Sequence, residues 1–175
     1  MDEIKMNDAA GMSDFDFRAK QSIWNSRKAR LNWDTFCRHA VAEWNVDIEG
    51  TMATVSKDKP FQVFYGTGYE VHGFDNVRAF YEERMRTFQG QGFYADDFLV
   101  NDDVMVARGW FKGSPRGFFF GAQASGKPML FRLTLWVDFD ADGLVRGESA
   151  YFDGKEFARQ AEHGYEPLAG GDQKS

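Results

Sequence analysis

The densest run of chemically useful side chains in the sequence is GESAYFDGKEFARQ, residues 147 to 160. Its acid, Asp153, follows Tyr151 and Phe152 at the end of a stretch that reads as a strand. On that strand Val145, Gly147, Ser149, Tyr151 and Asp153 share one face, and Arg146, Glu148, Ala150 and Phe152 share the other. Asp153 has two readings. A carboxylate partly desolvated by neighbouring rings is a usable general acid or base. Asp153 and Glu156 also stand in the D-x-x-E spacing of a capping box, where the acid accepts from the backbone N–H groups of the helix it begins. On the preceding run Leu130, Arg132, Thr134, Trp136 and Asp138 alternate with the plainly apolar Met129, Phe131, Leu133, Leu135 and Val137. The mixed set has the character of a binding face, or else of a solvent or dimer face, since interfaces also carry Trp and Arg. Pointing inward, Arg132 would supply a cation for an enolate or carboxylate oxygen and Trp136 a flat wall for a ring. Trp110, Tyr65, Tyr81 and Phe64 are further wall candidates, or plain core.

Other patterns resemble sites without completing them. GAQASGKP, 121 to 128, has phosphate-loop spacing, but Pro128 replaces the Mg-binding hydroxyl and a strand follows where a helix is needed. DFDADG, 138 to 143, copies the first half of a calcium loop, yet Ser149 stands where its bidentate Glu belongs, so an Asp-Gly hairpin turn explains it. His39, His72 and His163 show no shared ligand spacing, and Cys37 is the single cysteine, so no metal site, disulfide or nucleophilic triad is expected. His72 closes a short strand just before Gly73, which makes it a candidate for the rim of a binding cavity.

The elements that must position these groups follow from periodicity. Apolar residues recur at helical spacing from Asp14 to Val55, with Asn32 or Asp34 and then Asp47 placed as caps, which predicts helices over 15–30, 34–44 and 47–55. PFQVFY and GYEVHG predict two short strands, and GFDNVRAFYEERMRTF predicts a helix with Val77, Phe80, Tyr81, Arg84 or Met85, and Phe88 on one stripe. Period-two runs over 93–101, 104–112, 128–139 and 144–152 predict an antiparallel meander, with a Gly-rich connection before 128 and a short helix over 154–162 after it. Helices before strands make an α+β domain over 13–165, flanked by a loose arm, 1–12, and a tail, 166–175. With 18 Phe, 5 Trp and 6 Tyr the chain can line a cavity with rings. A net charge of -6 without a Lys/Arg run argues against a nucleic-acid partner, and the lack of an 18-residue apolar stretch or basic leader points to a soluble, cytoplasmic protein.

The phrases TMATVSKDKPFQVFYGTGYEVHGFDNVRAFYEERM and GKPMLFRLTLWVDFDADGLVRGESAYFDGKEFARQ resemble the SnoaL-like polyketide cyclase branch of the nuclear transport factor 2-like superfamily, over roughly residues 34 to 162. The resemblance implies a cone-shaped, curved, mixed sheet with N-terminal helices, a homodimer packed through the sheet, one apolar pocket per chain and no cofactor. It also implies that the face holding Ser149, Tyr151 and Asp153 looks into the pocket. On that basis Asp153 is expected to move a proton, Tyr151 and Arg132 to stabilise an oxyanion, and Tyr65, His72, Tyr81, Trp110, Trp136 and Ser149 to bind a small apolar or ring-containing molecule. The chemistry implied is cofactor-free aldol cyclisation, isomerisation or dehydration of a carbonyl compound. A ligand-binding or dimerisation module without catalysis is the alternative.

Overall fold

The structure, a computed structural model, describes residues 26–166; the expected arm, most of the expected first helix and most of the tail lie outside these residues. Helix α1 (Arg27–Trp44) starts at Ser26, whose hydroxyl accepts from the Ala29 N–H at 2.9 Å. It passes through 31–34 without the expected break. Asn32 does not cap there, because its buried side-chain amide donates to the Asn101 and Asp102 carbonyls, 3.0 Å each, and ties the helix to a distant turn. Asp47 does cap α2 (Ile48–Met52), accepting from Gly50 at 2.8 Å.

Strands β1 (Phe61–Phe64) and β2 (Tyr69–His72) form a hairpin, followed by α3 (Phe74–Thr87). The meander is β3 (Phe88–Val100), β4 (Val104–Phe119), β5 (Ala122–Ser125), β6 (Met129–Phe139) and β7 (Val145–Phe152), and α4 (Gly154–His163) closes it. The Gly-rich connection is therefore mostly strand: β4 runs on to Phe119 and pairs back with β5 from Arg116↔Ser125 to Phe119↔Ala122. Around the sheet the order is β2-β1-β7-β6-β4-β3, antiparallel except where β1 lies parallel to β7. Register shifts in β3 near Gly92 and Asp97 curve the long β3/β4 pair. Gly109 lets these two strands close up, since a Cβ there would lie 1.9 Å from the Tyr94 carbonyl oxygen.

The inner face of the sheet carries Phe64, Phe111, Phe131, Leu133, Val137 and Ala150, and α1, α3 and α4 lie against it. Two apolar clusters result. One gathers Phe64, Phe80, Phe88, Phe111, Phe119, Phe120, Phe131 and Phe157; the other gathers Trp33, Phe36, Phe98, Met105 and Val137. Each fully buried ring of this kind contributes about 1.5–3 kcal/mol. Among the described residues no helix is long and apolar enough to cross a membrane.

Candidate functional site

Four elements converge on one polar cluster inside this aromatic core. The parallel pairing of β1 and β7 sets Gln62 opposite Glu148 on the inner face. On α1, His39 and Glu43 are four residues apart and so project from one side of the helix; on α3, Tyr81 and Arg84 do the same at a spacing of three. All six side chains are buried. The Arg84 guanidinium grips Glu43 with both nitrogens, at 2.8 and 3.1 Å, and its Nε donates to Gln91 at 3.0 Å. Tyr81 Oη lies 3.0 Å from His39 Nε2 and 3.0 Å from Glu148 Oε2, and Gln62 Nε2 donates to that hydroxyl at 2.7 Å and to Glu148 at 2.9 Å.

Following the protons fixes the charge of His39. The Thr54 hydroxyl donates to the Thr51 carbonyl at 2.6 Å, so at 2.7 Å from His39 Nδ1 it can only accept, and Nδ1 carries a hydrogen. Tyr81 donates to Glu148, so at Nε2 the imidazole is again the donor, towards the phenol oxygen and towards Glu43 at 3.5 Å. Burial by itself would pull His39 down, but the hydrogen bond and charge of Glu43, with the charge of Glu148, outweigh burial and Arg84 and raise it above the ordinary histidine value. For Glu43, burial pushes up and the charge of Arg84 and the His39 contact pull down more strongly, leaving it below the ordinary carboxylate value. Tyr81 stays a phenol well above the usual range, through burial first and the nearby Glu148 and Glu43 charges next. Two carboxylates thus face one guanidinium and one imidazolium.

This cluster forms the polar end of a cavity of about 60 Å³, where His39, Glu43, Gln62, Arg84 and Glu148 meet walls of Phe36, Phe64, Phe93, Phe111, Phe120 and Leu133. Donor atoms of His39, Glu43 and Glu148 lie within 4.8 Å of one another, close enough for one cation. An ion there would have to replace the proton on His39 Nε2 and loosen Arg84 from Glu43.

Over residues 63–161, more than half of the chain, the sequence matches the family model for SnoaL-like polyketide cyclase. The chain belongs to that family. No curated protein matches the sequence. Among solved structures, a protein from Jannaschia described as a SnoaL-like polyketide cyclase is similar at 19% identity over 82% of this chain and 98% of that one, TM-score 0.62. An NTF2-like protein of unknown function from Burkholderia pseudomallei matches at 20% identity over 75% and 97%, TM-score 0.60. A Catenulispora acidiphila protein with a ketosteroid isomerase-like fold, in complex with trimethylamine, matches at 9% identity over 73% and 92%, TM-score 0.58. At these identities the likeness is one of fold.

For this SnoaL-like chain the face expected to look into the pocket looks away from it. Leu135 pairs with Ala150 and Val137 with Glu148, so the apolar set of β6 carries Glu148 and Ala150 inward with it. The drive to bury Phe131, Leu133 and Val137 decides the parity, and the other set must turn outward. Ser149, Tyr151, Arg132, Trp136 and Trp110 accordingly lie on the outer face: Tyr151 stacks on Tyr65 with ring centroids 4.3 Å apart, and Arg132 sits 4.9 Å over Trp110 while pairing with Asp96 at 2.6 Å. Asp153 is exposed and spends one oxygen on its helix, accepting from the Lys155 and Glu156 N–H groups at 2.9 and 3.1 Å. Glu156 does not reach back to close the capping box; it binds Arg159 and Gln160. His72 stands exposed on the edge strand beside Glu70, apart from the cavity. Of the expected residues, Tyr81 alone reaches the polar cluster.

His39, Glu43, Gln62, Arg84 and Glu148 were passed over. Their signal was present as polar groups on stripes that are otherwise apolar: Glu148 next to Ala150 and Phe152 on the inner set of its strand, and a His-x-x-x-Glu pair in a helix whose neighbours Phe36 and Ala40 are core. Cys37, beside them in sequence, is inert, its thiol pushed up to about 12 by burial and then by Asp34.

Proposed function

We propose that this chain is a general acid–base catalyst acting on a largely apolar carbonyl compound, in an aldol closure, an isomerisation or a dehydration. The observation that carries this reading is the buried His39–Tyr81–Glu148 line, which holds a proton donor and a carboxylate at the closed end of an aromatic cavity. The carbonyl oxygen lies against the polar end, where the His39 imidazolium donates to it. Glu148 takes a proton from the adjacent carbon while that oxygen receives the proton of His39, giving an enol. Attack of the enol carbon on a second carbonyl would close a ring as the enol O–H proton passes to the new alkoxide, whereas delivery of the Glu148 proton to a different carbon, with the enol O–H proton going back to His39, would isomerise the substrate. After ring closure Glu148 returns its proton to Tyr81 as Tyr81 passes its own to His39 Nε2, so the site resets along two contacts of 3.0 Å. Arg84 keeps Glu43 ionised beside His39, and Glu43 keeps His39 charged.

The outer face fits the homodimer that such a sheet can form, because it exposes Tyr65, Trp136, Tyr151 and Leu99 together. Trp136→Lys should convert a sedimenting dimer to monomer, and a wild-type monomer at 50 μM would overturn the dimer. The acid–base reading is tested with acetone in D₂O, a ketone small enough for the cavity, following exchange of its α-protons by NMR. Wild type should accelerate exchange over buffer, and Glu148→Gln should lose at least about 100-fold, the usual worth of a positioned proton-transfer group. Saturable binding of acetone without any exchange would leave a ligand-binding module instead.

A further inference from the structure

The cavity at the polar cluster is small. A cavity that admits benzene measures about 150 Å³, and this one is about 60 Å³, room for a carbonyl head and a few carbons. A second hollow of about 30 Å³ lies between α3 and the β4–β5 hairpin, lined by Tyr69, Phe80, Glu83 and Phe118. Arg84 and Phe120 line both. The Phe120 ring is sandwiched between Phe64 at 3.9 Å and Phe119 at 4.0 Å, and the Arg84 guanidinium carbon lies 5.8 Å from its centroid. Flat walls on both sides and a cation fixed in place by Glu43 and Gln91 form a receptor for a planar ring, and Phe120 itself fills it.

The backbone beneath that ring is poorly suited to hold it. Phe120 and Gly121 are the two residues between Phe119 and Ala122, the last pair of the hairpin, and both have positive φ, 45° and 85°. Two-residue hairpin turns of this hand favour Asn, Asp or Gly at the first position, and a bulky aromatic residue there is strained. A hydrogen bond from the Thr67 hydroxyl to the Phe120 carbonyl fastens the turn's backbone to the β1–β2 hairpin.

We propose that Phe120 is a movable stand-in for an aromatic ring of the substrate: it swings out at the hairpin tip, the two hollows join, and the substrate's ring takes its place between Phe64 and Phe119 over Arg84. Phe120 is then the residue that sets substrate specificity, and the substrate class narrows to aryl or fused-ring carbonyl compounds whose carbonyl end lies at His39 and Glu148. This rests on the acid–base reading only for the direction in which the substrate lies.

The test uses binding, so that it stands apart from catalysis. 2-Naphthol and acetone are titrated into wild type, Phe120→Gly, which suits the positive φ, and Thr67→Val, which frees the turn without touching either hollow. Phe120→Gly should bind 2-naphthol at least tenfold tighter, a gain larger than any change it causes for acetone, and Thr67→Val should raise the naphthol on-rate several-fold. Equal naphthol affinity in wild type and a folded Phe120→Gly would overturn the proposal, as would a parallel change for both probes. Should Phe120→Gly fail to fold, wild type decides: saturating 2-naphthol must shift the amide resonances of Phe120 and Gly121, and unshifted resonances overturn the proposal. Ring discrimination without any ketone exchange would retain this subsite and remove the acid–base reading.

Discussion

Tyr81→Phe tests the polar cluster at its centre, because it deletes one oxygen and keeps the ring that packs against His39 and Phe80. The hydroxyl is fully buried and touches His39, Gln62 and Glu148 at 3.0, 2.7 and 3.0 Å. Its loss orphans none of the three, because Gln62 still donates to Glu148 at 2.9 Å and the His39 Nε2–H still faces Glu43 at 3.5 Å. The cost is therefore that of a charge-assisted hydrogen bond, about 2 kcal/mol, without the further penalty of a stranded buried group. For a chain of this size that lowers Tm by roughly 4–8 °C. Urea unfolding of wild type, Tyr81→Phe, Glu148→Gln and the double variant should give a coupling energy of about 1–2 kcal/mol, as residues sharing one hydrogen bond do. Ketone exchange in Tyr81→Phe should fall by about tenfold or more as the return of the proton slows. A coupling below about 0.5 kcal/mol would show that Tyr81 does not donate to Glu148, and the charge assigned to His39 would fall with it.

Three further outcomes follow from the same geometry. The raised His39 contributes stability that is complete below the ordinary histidine value of 6.5 and is lost as pH rises through its higher folded value, whereas the lowered Glu43 contributes stability complete above the ordinary 4.5 and lost as pH falls through its lower folded value. Urea midpoints should thus form a plateau between those two limits, and His39→Asn should remove the alkaline limb; an unchanged limb would contradict the assignment. Asp153→Ala should cost about 1 kcal/mol for the lost cap and leave ketone exchange unaltered, and a hundredfold loss of exchange would return Asp153 to the chemistry. Arg84→Met strands Glu43 and should cost about 3–5 kcal/mol in chemical unfolding, most of it regained in Glu43→Leu/Arg84→Met; a double variant no more stable than Arg84→Met alone would mean that the pair is not what holds these helices together.

Local signals reported the frame well and the site poorly, for one physical reason. Asp47 as a cap, the Asp102–Asp103 turn, the β1–β2 hairpin and the order of strands are decided within a few residues of themselves, and the structure has them where the sequence places them. Asn32 and the β4–β5 hairpin are decided elsewhere. Asn32 stays inside α1 because its amide meets carbonyls some seventy residues away, and the Gly-rich run extends β4 because Phe119 and Phe120 are drawn into the aromatic cluster. The site depends on such distant choices throughout. A strand that mixes Arg, Thr and Trp on one face looks like a binding surface when read alone, but the competing face of Phe131, Leu133 and Val137 takes the interior, and Glu148 is carried in on the neighbouring strand by register alone. Tyr81 was legible because it sits on an apolar helical stripe with a polar end that needs a partner; that the partner would be Glu148 was not, since β7 reaches it only through the parallel β1 pairing.

Stability by itself gives little reason to keep this cluster. Replacing a buried charged network with apolar residues of similar volume is commonly neutral or stabilising, and the surrounding Phe64, Phe111, Phe120 and Leu133 would extend naturally into the space. What the network supplies that an apolar filling would not is a proton that can move in a buried, charge-balanced place. Arg84 offsets Glu43 and the His39 proton offsets Glu148, so the donor and the base coexist 3.0 Å on either side of Tyr81 Oη without a net charge for the aromatic walls to enclose. Removing Glu43 would lower His39 and lose the acid, and removing Arg84 would leave Glu43 without its counter-charge. Each charged side chain therefore sets the protonation of another, while the rings around them supply the stability, and this division of labour is the strongest physical reason to look for the chemistry at His39 and Glu148 rather than at the helix cap formed by Asp153.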